Sequence, residues 1–337
     1  MKAALLDAVC QPLALREVPT PTIGAREVLV QTRTCGICGT DLHIIAGHGY
    51  VPDLPHILGH EPAGVVAAVG AEVTNVKVGD RVIPSLFFTC DECYYCRVGR
   101  NQQCAHLRGI LGVLSPGAFA EYFKVPAQNA FHLPDSISFE TGGLIADAVV
   151  TAVHASRRGG LVAGSTGVVI GAGGVGLCLL QMLVASGVRV AAVDVDEAKL
   201  EAAQSMGAAA MFLAPQAITA VREWAGDDGV QGVFDCVGSA ATLDSACRMV
   251  MNGGRVVVIG EQGDTLPVTS TVIAQRELEI IGSRNGTRQD LVEGIRLVAA
   301  GAVRPPIAAR YALADINQAM QRVREGVVGR VVVQVSQ

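Results

Sequence analysis

The stretch Val168–Asp194, VVIGAGGVGLCLLQMLVASGVRVAAVD, decides the fold predicted for this chain. Its first three residues predict a short buried strand, and a glycine-rich turn follows from Gly171 to Gly176. The next segment predicts a helix that ends near Gly187, and RVAAVD predicts a second strand. A strand, a glycine turn, a helix and another strand in this order indicate a βαβ unit, which places both strands in a parallel sheet.

The turn, GAGGVG, has the spacing of a dinucleotide-binding loop. Gly171 would form the tight turn, Gly173 would let a pyrophosphate approach the helix N-terminus, and Gly176 would let helix and strand pack closely. Asp194 ends the second strand 18 residues after Gly176, where an acid binds the adenosine ribose hydroxyls and repels a 2′-phosphate. The pattern favours NAD over NADP, and the alternative is a glycine turn that serves packing alone. The predicted cofactor-binding residues here are Gly171, Gly173, Gly174, Val175, Gly176 and Asp194.

The two parts of the chain differ in their pattern. After Asp194, strands predicted at AAMFLA, GVFDCVG, GRVVVIG and LEIIGS alternate with helical segments, which predicts a doubly wound parallel sheet in an α/β fold. Before residue 135, short strands separated by turns predict a β-rich barrel or sandwich. A chain of 337 residues is expected to form two domains.

A second stretch, Cys38–Glu61, reads CGTDLHIIAGHGYVPDLPHILGHE and holds thiol, imidazole and carboxylate groups. Zn²⁺ takes such ligands in a tetrahedron, and a catalytic zinc keeps three protein ligands and one open position. Cys38 and His60 are the first two predicted ligands. Asp41 is the predicted acceptor for the other ring N–H of the histidine.

The third ligand must come from elsewhere, and the candidate is Asp147, an acid among alanines and valines. An isolated buried acid costs several kcal/mol or becomes neutral, so Asp147 is either a satisfied core residue or this ligand. Thr40 and His43 are close enough in sequence to Cys38 to pass a proton near the metal. Cys35 is expected to be a buried small residue rather than half of a redox pair, and His48 and His56 are expected on the surface.

Four further cysteines lie within fifteen residues, in the pattern C-x2-C-x2-C-x7-C. Four thiolates can close on one tetrahedral metal and leave no open position, so this site would brace a loop rather than perform chemistry. An iron–sulfur cluster is the competing interpretation, although nothing else in the sequence indicates electron transfer. The predicted structural zinc ligands are Cys90, Cys93, Cys96 and Cys104.

Composition excludes several classes of protein. A net charge of −5 gives no electrostatic footprint for nucleic acid. The amino terminus has an early aspartate and no long apolar run, which is unlike a signal peptide. Residues 168–193 are apolar, but five glycines interrupt them, so a membrane span is not expected. The clustering of cysteines is typical of metal binding in a cytoplasmic protein.

Taken together, GICGTDLH, GHE, the four-cysteine loop, GAGGVG and the final GRVVV cover nearly the whole chain in a specific order. With these motifs the chain resembles the zinc-dependent alcohol dehydrogenases of the medium-chain dehydrogenase/reductase superfamily. The resemblance implies a GroES-like catalytic domain formed by residues 1–147 and 278–337, with a Rossmann NAD-binding domain at 148–277.

The resemblance also implies roles for individual residues. Cys38, His60 and Asp147 match the catalytic zinc ligands, and Glu61 matches a glutamate that can approach the metal. Thr40 and His43 match the proton relay, and Arg330 matches an arginine that contacts the cofactor pyrophosphate.

The expected activity is hydride transfer between a small alcohol, or its aldehyde or ketone, and NAD. Two zinc ions per subunit and a homodimer or homotetramer are implied, with no nucleic-acid or membrane partner. A polyol, an amino alcohol such as threonine, or an acyl-thioester are alternative substrates. A zinc-braced NAD(H)-binding sensor or structural protein is the non-enzymatic alternative.

Overall fold

The computed structural model describes residues 1–226, 228–265 and 268–336 of the chain. Its contacts divide the chain into two compact units. Unit 1 consists of residues 1–150, 287–300 and those from 307 onward, and unit 2 consists of Thr151–Gly286 and Gly301–Pro306. The domain boundaries at 147/148 and 277/278 stay a prediction.

The strands are β1 (Lys2–Leu6), β2 (Ala14–Glu17), β3 (Glu27–Ile37), β4 (His56–Ile57), β5 (Glu61–Val69), β6 (Arg81–Pro84), β7 (Phe87–Phe88), β8 (Gly109–Ile110), β9 (Tyr122–Pro126), β10 (Ala130–His132), β11 (Thr166–Ile170), β12 (Arg189–Asp194), β13 (Ala210–Leu213), β14 (Val230–Asp235), β15 (Val250–Val258), β16 (Glu279–Gly282), β17 (Ile307–Ala312) and β18 (Arg330–Gln334).

The α-helices are α1 (Gly39–Ile45), α2 (Tyr94–Arg97), α3 (Phe139–Leu144), α4 (Val150–Gly159), α5 (Gly174–Ala185), α6 (Glu197–Ser205), α7 (Ala217–Ala225), α8 (Ala240–Met249), α9 (Ser270–Gln275), α10 (Arg288–Ala299) and α11 (Ile316–Arg324). A π-helix spans Ile145–Val149, and short 3₁₀ turns span Asn101–Gln103, Ala127–Asn129, Ala214–Gln216 and Leu313–Asp315.

Unit 2 contains a parallel sheet in the strand order β13-β12-β11-β14-β15-β16. Its central strands are Val- and Ala-rich, as expected for strands buried on both faces, and helices begin at local caps such as Asp196, whose carboxylate accepts from Ala198 N. This order is that of a Rossmann fold, so the predicted doubly wound sheet is confirmed. The edge strand β16 belongs to this sheet and to unit 2.

Unit 1 is rich in β-structure, and its largest sheet has the order β10-β6-β5-β3-β18-β17, with β9 also paired to β3. The long strand β3 alternates buried and half-buried side chains before its last, fully buried residues. The last strand, β18, runs antiparallel to β3, so both ends of the chain build this unit. The β-rich GroES-like expectation is therefore confirmed.

One local expectation in unit 1 is wrong. His56 is only 5% exposed, although a loop histidine was expected on the surface. Two residues of the loop form the short strand β4, which pairs with β1 and opposes His56 to Leu6 of the core.

The apolar stretch that begins at Val168 folds into β11, the glycine turn, α5 and β12. Helix α5 is 12 residues long, whereas a span of the bilayer needs about 20 apolar residues. Within the described residues, no helix is long and apolar enough to cross a membrane.

Candidate metal centres and nucleotide-binding turn

Strand register brings distant residues of unit 1 together at one end of the large sheet. Gly36 of β3 opposes Glu61 of β5, and Ile37 opposes Val331 of β18. Cys38 follows β3, His60 precedes β5 and Arg330 begins β18, so all three lie at neighbouring strand ends. Gly36 is needed there, because a Cβ atom would collide with the carboxylate of Glu61.

A group of four potential metal ligands forms at these strand ends. One ligand atom from each side chain lies within 4.8 Å of the others, and three of the residues are buried; the group consists of Cys38, His60, Glu61 and Asp147. A thiol, an imidazole and carboxylates in such proximity can share one Zn²⁺ ion. The structure therefore places together the three predicted ligands, Cys38, His60 and Asp147, and the glutamate that the resemblance names beside them.

Asp147 reaches this group from a π-helix, not from a regular α-helix. The sequence predicted continuous helical spacing, but the turn Ile145–Val149 has π geometry and α4 begins after it. Such single π turns often occur at functional sites. Oδ2 of Asp147 lies 3.9 Å from Nε2 of His60, so the acid is part of the polar group and not an isolated core residue.

Asp41 fixes the position of His60. Its Oδ1 lies 3.3 Å from Nδ1 of His60, while Oδ2 accepts from the backbone N of Cys38 at 2.9 Å. Burial alone would lower the pKa of His60, but the nearby charge of Asp41, together with Cys38, raises this pKa well above its usual value. The same contact leaves Nε2 facing the other ligand atoms, as expected for a metal-binding imidazole.

Arg330 supplies a positive charge inside the group. Its Nη2 lies 2.9 Å from Oε1 of Glu61 and 3.2 Å from Oδ2 of Asp147, and 3.5 Å from Sγ of Cys38. Burial raises the pKa of Glu61 to about 8, with Arg330 opposing and Asp147 adding to the shift. The carboxyl groups of Glu61 and Asp147 thus favour a cation beside them, which compensates their negative charge. The family resemblance assigns Arg330 to the cofactor pyrophosphate, and nothing in the sequence indicated its position beside Cys38, Glu61 and Asp147.

The two predicted proton-relay residues lie on α1, which begins next to Cys38. Oγ1 of Thr40 is 3.7 Å from Sγ of Cys38, and both Thr40 and His43 are half-buried. The hydroxyl therefore lies beside the ligand group, and the imidazole follows one helical turn later. Their role in proton transfer stays a prediction.

The four-cysteine loop forms a second, separate cluster in unit 1. The Sγ–Sγ distances are 3.6 Å for Cys93–Cys96, 3.9 Å for Cys93–Cys104 and 3.5 Å for Cys104–Cys90. A zinc tetrahedron with bonds of about 2.3 Å has sulfur–sulfur edges of about 3.8 Å, so the four thiols fit such an ion. Backbone hydrogen bonds lower the pKa of Cys93 to about 6, and burial raises that of Cys96 to about 12.

Arg288, which the sequence did not single out, holds this loop in unit 1. The guanidinium of Arg288 donates to Asp91 at 2.8 Å and to Thr89 at 2.9 Å, and its backbone N donates to Asn101 at 3.3 Å. These contacts join α10 to both ends of the cysteine loop. Nothing in the local sequence could reveal them, because the partners are nearly 200 residues apart.

The glycine turn of unit 2 has the geometry that the sequence required. Gly171 has φ +88°, a side chain at Gly176 would collide with the carbonyl of Gly171, and the space beside Gly173 is open. Gly174 and Val175 form the first turn of α5. These features fit a pyrophosphate approaching a helix N-terminus.

Asp194 lies at the end of β12 and also accepts a hydrogen bond from the glycine turn. Its Oδ2 accepts from Ala172 N at 2.7 Å, and its Oδ1 accepts from Val195 N at 2.8 Å. A carboxylate offers about four lone-pair sites, so it can still accept from a ribose hydroxyl. The sequence indicated the ribose contact and did not reveal the bond that ties β12 to the glycine turn.

Two family models match this chain. The alcohol dehydrogenase GroES-like domain matches residues 24–135, and the zinc-binding dehydrogenase domain matches residues 174–300. The first covers most of the cysteine and histidine motifs, and the second begins within the glycine turn.

Full-length relatives agree with these models. An alcohol dehydrogenase of Geobacillus stearothermophilus is 36% identical, covering 99% of this chain and 100% of the relative. A sorbitol dehydrogenase of Bacillus subtilis is 33% identical, over 96% of this chain and 93% of the relative. The crystal structure of the alcohol dehydrogenase from Aeropyrum pernix superposes with a TM-score of 0.94 at 32% identity, covering 99% of this chain and 100% of that one.

Proposed function

Because this chain belongs to the zinc-dependent alcohol dehydrogenases of the medium-chain dehydrogenase/reductase superfamily and is an oxidoreductase, we propose that it oxidises an alcohol with NAD or reduces the corresponding aldehyde or ketone. The observation that carries this proposal is the convergence of Cys38, His60, Glu61 and Asp147 on one point. A protein that merely bound a nucleotide would have no need of this mixed ligand group, which argues against the sensor alternative.

Cys38, His60 and Asp147 would hold the catalytic zinc, and Glu61 lies close enough to approach it. Bound zinc would supply Lewis acidity at an oxygen atom and thereby make an alcohol easier to deprotonate. The chain contributes the orientation of the ligands. Asp41 fixes the imidazole of His60, and the π turn directs Asp147 toward it.

Thr40 would accept the hydroxyl proton of the alcohol, and His43 would pass it toward solvent. A hydroxyl can accept one proton while it donates another, and the two ring nitrogens of an imidazole can each accept or donate a proton. The spacing on α1 places the two groups in sequence along one helix.

The glycine turn and Asp194 would bind NAD, which supplies the hydride acceptor. Gly171, Gly173, Gly174, Val175 and Gly176 shape the turn, and Asp194 would meet the adenosine ribose. We also propose that Arg330 contacts the pyrophosphate, as the resemblance predicts. Arg330 now pairs with Glu61 and Asp147, and a bound metal ion would compensate the negative charge of these two residues in its place.

The four-cysteine loop would hold a structural zinc, which gives two zinc ions per subunit. Sulfur–sulfur distances near those of a zinc tetrahedron support this assignment over an iron–sulfur cluster. We further propose a cytoplasmic homodimer or homotetramer in which the edge strand β16 (EIIG) pairs with a second copy. An edge strand presents unpaired backbone groups that such pairing would satisfy.

A polyol is the second candidate substrate, because the sorbitol dehydrogenase of Bacillus subtilis is similar over nearly the full length of both chains. Zinc analysis with a panel of primary alcohols, secondary alcohols and polyols, followed by NADH absorbance, would test both proposals. We expect two zinc ions per chain and turnover of at least one of these classes. One zinc ion per chain, or no turnover across the panel, would contradict the assignment.

The cofactor choice has a separate readout. Trp224 is the chain's single tryptophan and lies in unit 2, so quenching of its fluorescence can report NADH or NADPH binding. Asp194→Gly should weaken the preference for NADH over NADPH. Asp196→Gly, which removes a neighbouring acid that caps α6, is the matched control and should keep the preference.

A further inference from the structure

A cleft in unit 1 has no part in the proposed reaction. Its volume is about 390 Å³, within the range of about 300–1,000 Å³ that is typical of small-molecule sites. It forms where the loop between β1 and β2 meets α1 and α11, and each of these segments lines it. No residue of the metal centre is among its lining residues.

The floor of this cleft is apolar and held in place. Leu13, Ile45 and Met320 are each less than 5% exposed, and half-buried Leu42 completes the floor. The side-chain amide of Asn317 makes two hydrogen bonds of 2.9 Å with the backbone of Leu13. The loop is thereby fixed to α11, so the cleft is a preformed feature.

The rim of the cleft is cationic. Arg324 is exposed at the rim, and within the described part of the chain its guanidinium has no hydrogen-bond or ion-pair partner. None of the described lining residues is acidic. Cys10, also at the rim, is the exposed member of the ten free cysteines. An apolar floor beside an uncompensated guanidinium is complementary to a molecule with an apolar body and one negative charge.

We propose that this cleft binds a small amphipathic carboxylate of the medium-chain aliphatic acid class. The aliphatic chain lies on Leu13, Leu42, Ile45 and Met320, where burial of apolar surface drives binding. The carboxylate lies at Arg324, whose planar guanidinium matches two carboxylate oxygens. The long side chain of Met320 adapts to the irregular shape of an alkyl chain.

Alkylation of Cys10 gives a local readout that is independent of turnover. The zinc-loaded full chain is treated with iodoacetamide, with and without decanoate below its micelle concentration, and the Cys10 peptide is quantified by mass spectrometry. At ten times its Kd, decanoate should slow alkylation roughly ten-fold by mass action. Binding of decanoate to the metal centre would inhibit turnover but would leave the alkylation of Cys10 unchanged.

Matched variants separate charge from shape. Arg324→Gln should weaken decanoate binding, measured by calorimetry, about two- to five-fold, as expected for an exposed ion pair, whereas Arg322→Gln on the same helix should not. Ala46→Phe should fill the mouth of the cleft and abolish protection, with circular dichroism confirming the fold. The proposal is overturned if decanoate gives no protection, if decyltrimethylammonium protects equally, or if Arg324→Gln or Ala46→Phe binds decanoate like the parent.

Discussion

The two cysteine-containing clusters of unit 1 are built in opposite ways. The four thiols of the loop come from fifteen consecutive residues, are only half-buried and are of one chemical type. The ligand group at Cys38 comes from residues more than a hundred positions apart, is almost completely buried and mixes thiol, imidazole and carboxylate. The loop thiols are neighbours in the sequence, whereas the buried group exists only after β3 and β5 have paired and the π turn of Asp147 has packed beside them.

Because of this difference, we expect the metal in one site to affect mainly stability and the metal in the other to affect mainly chemistry. Metal in the loop should stabilise the protein, because residues 90–104 contribute no buried apolar side chain to the core and polar contacts such as those of Arg288 attach the loop. Metal in the buried group should affect chemistry more than stability, because strand pairing and Asp41 already hold the ligands. The comparison would be refuted if loss of the loop metal affected mainly chemistry and loss of the buried metal affected mainly stability.

The largest expected effect is that of Cys38→Ser on turnover. Loss of the thiolate should remove the buried metal and lower kcat/KM by at least about a thousandfold, since Lewis-acid stabilisation is worth several kcal/mol. The thermal unfolding midpoint should change little. Zinc analysis and steady-state kinetics measure the outcome, with Cys10→Ser as the control that keeps metal and activity. A fully active Cys38→Ser protein would remove the buried group from the mechanism.

Cys93→Ser should affect stability more than chemistry. Loss of the loop metal should lower the free energy of unfolding by about 3–5 kcal/mol, because removal of a structural metal is among the most destabilising kinds of change. The buried metal should remain at one equivalent per chain. Urea unfolding with zinc analysis tests both statements, and loss of both metals would show that the sites are coupled.

Much of this comparison could be predicted from the sequence, for a physical reason. The periodicity of residues 168–194 and the spacing of the four cysteines are local, so strand, helix and loop cluster follow from neighbouring residues. Arg330 lies beside Cys38 although the two residues are 292 positions apart, because strand register brings them together. The π turn at Asp147 and the burial of His56 depend on packing against distant elements, which no local pattern specifies.

Asp41→Asn should have an intermediate effect, confined to the buried group. An amide cannot replace the negative charge that orients His60, and loss of such a partner typically lowers metal affinity about 10- to 100-fold. Competition with a zinc chelator measures this affinity for each site. Asp91→Asn, which changes an acid beside the cysteine loop, is the matched control. A shift at the loop metal alone would contradict the assigned role of Asp41.

The smallest expected effect concerns the ion pair Arg310–Glu140, which supports the segment leading to Asp147. Two hydrogen bonds of 2.8 Å join β17 to α3 across 170 residues. Arg310→Gln should lower the free energy of unfolding at pH 7 by about 0.5–1 kcal/mol, since the pair is partly exposed. The matched change is Arg296→Gln, which removes a pair with Glu293 within α10 and should have a smaller effect.

The pH dependence of that loss distinguishes the ion pair from simple packing. The hydrogen bond from Arg310 lowers the pKa of Glu140, with burial opposing and Gln334 adding to the shift. A carboxylate with a lowered folded-state pKa stabilises the protein above its unfolded pKa of about 4.3, and this contribution disappears as the pH falls through the folded value. Urea unfolding should therefore separate parent and Arg310→Gln at pH 7 and at pH 5.5, with the two curves converging below about pH 4. A constant difference in the free energy of unfolding down to pH 3 would mean that Arg310 stabilises unit 1 through its aliphatic stem. The ion pair with Glu140 would then have no part in holding the segment before Asp147.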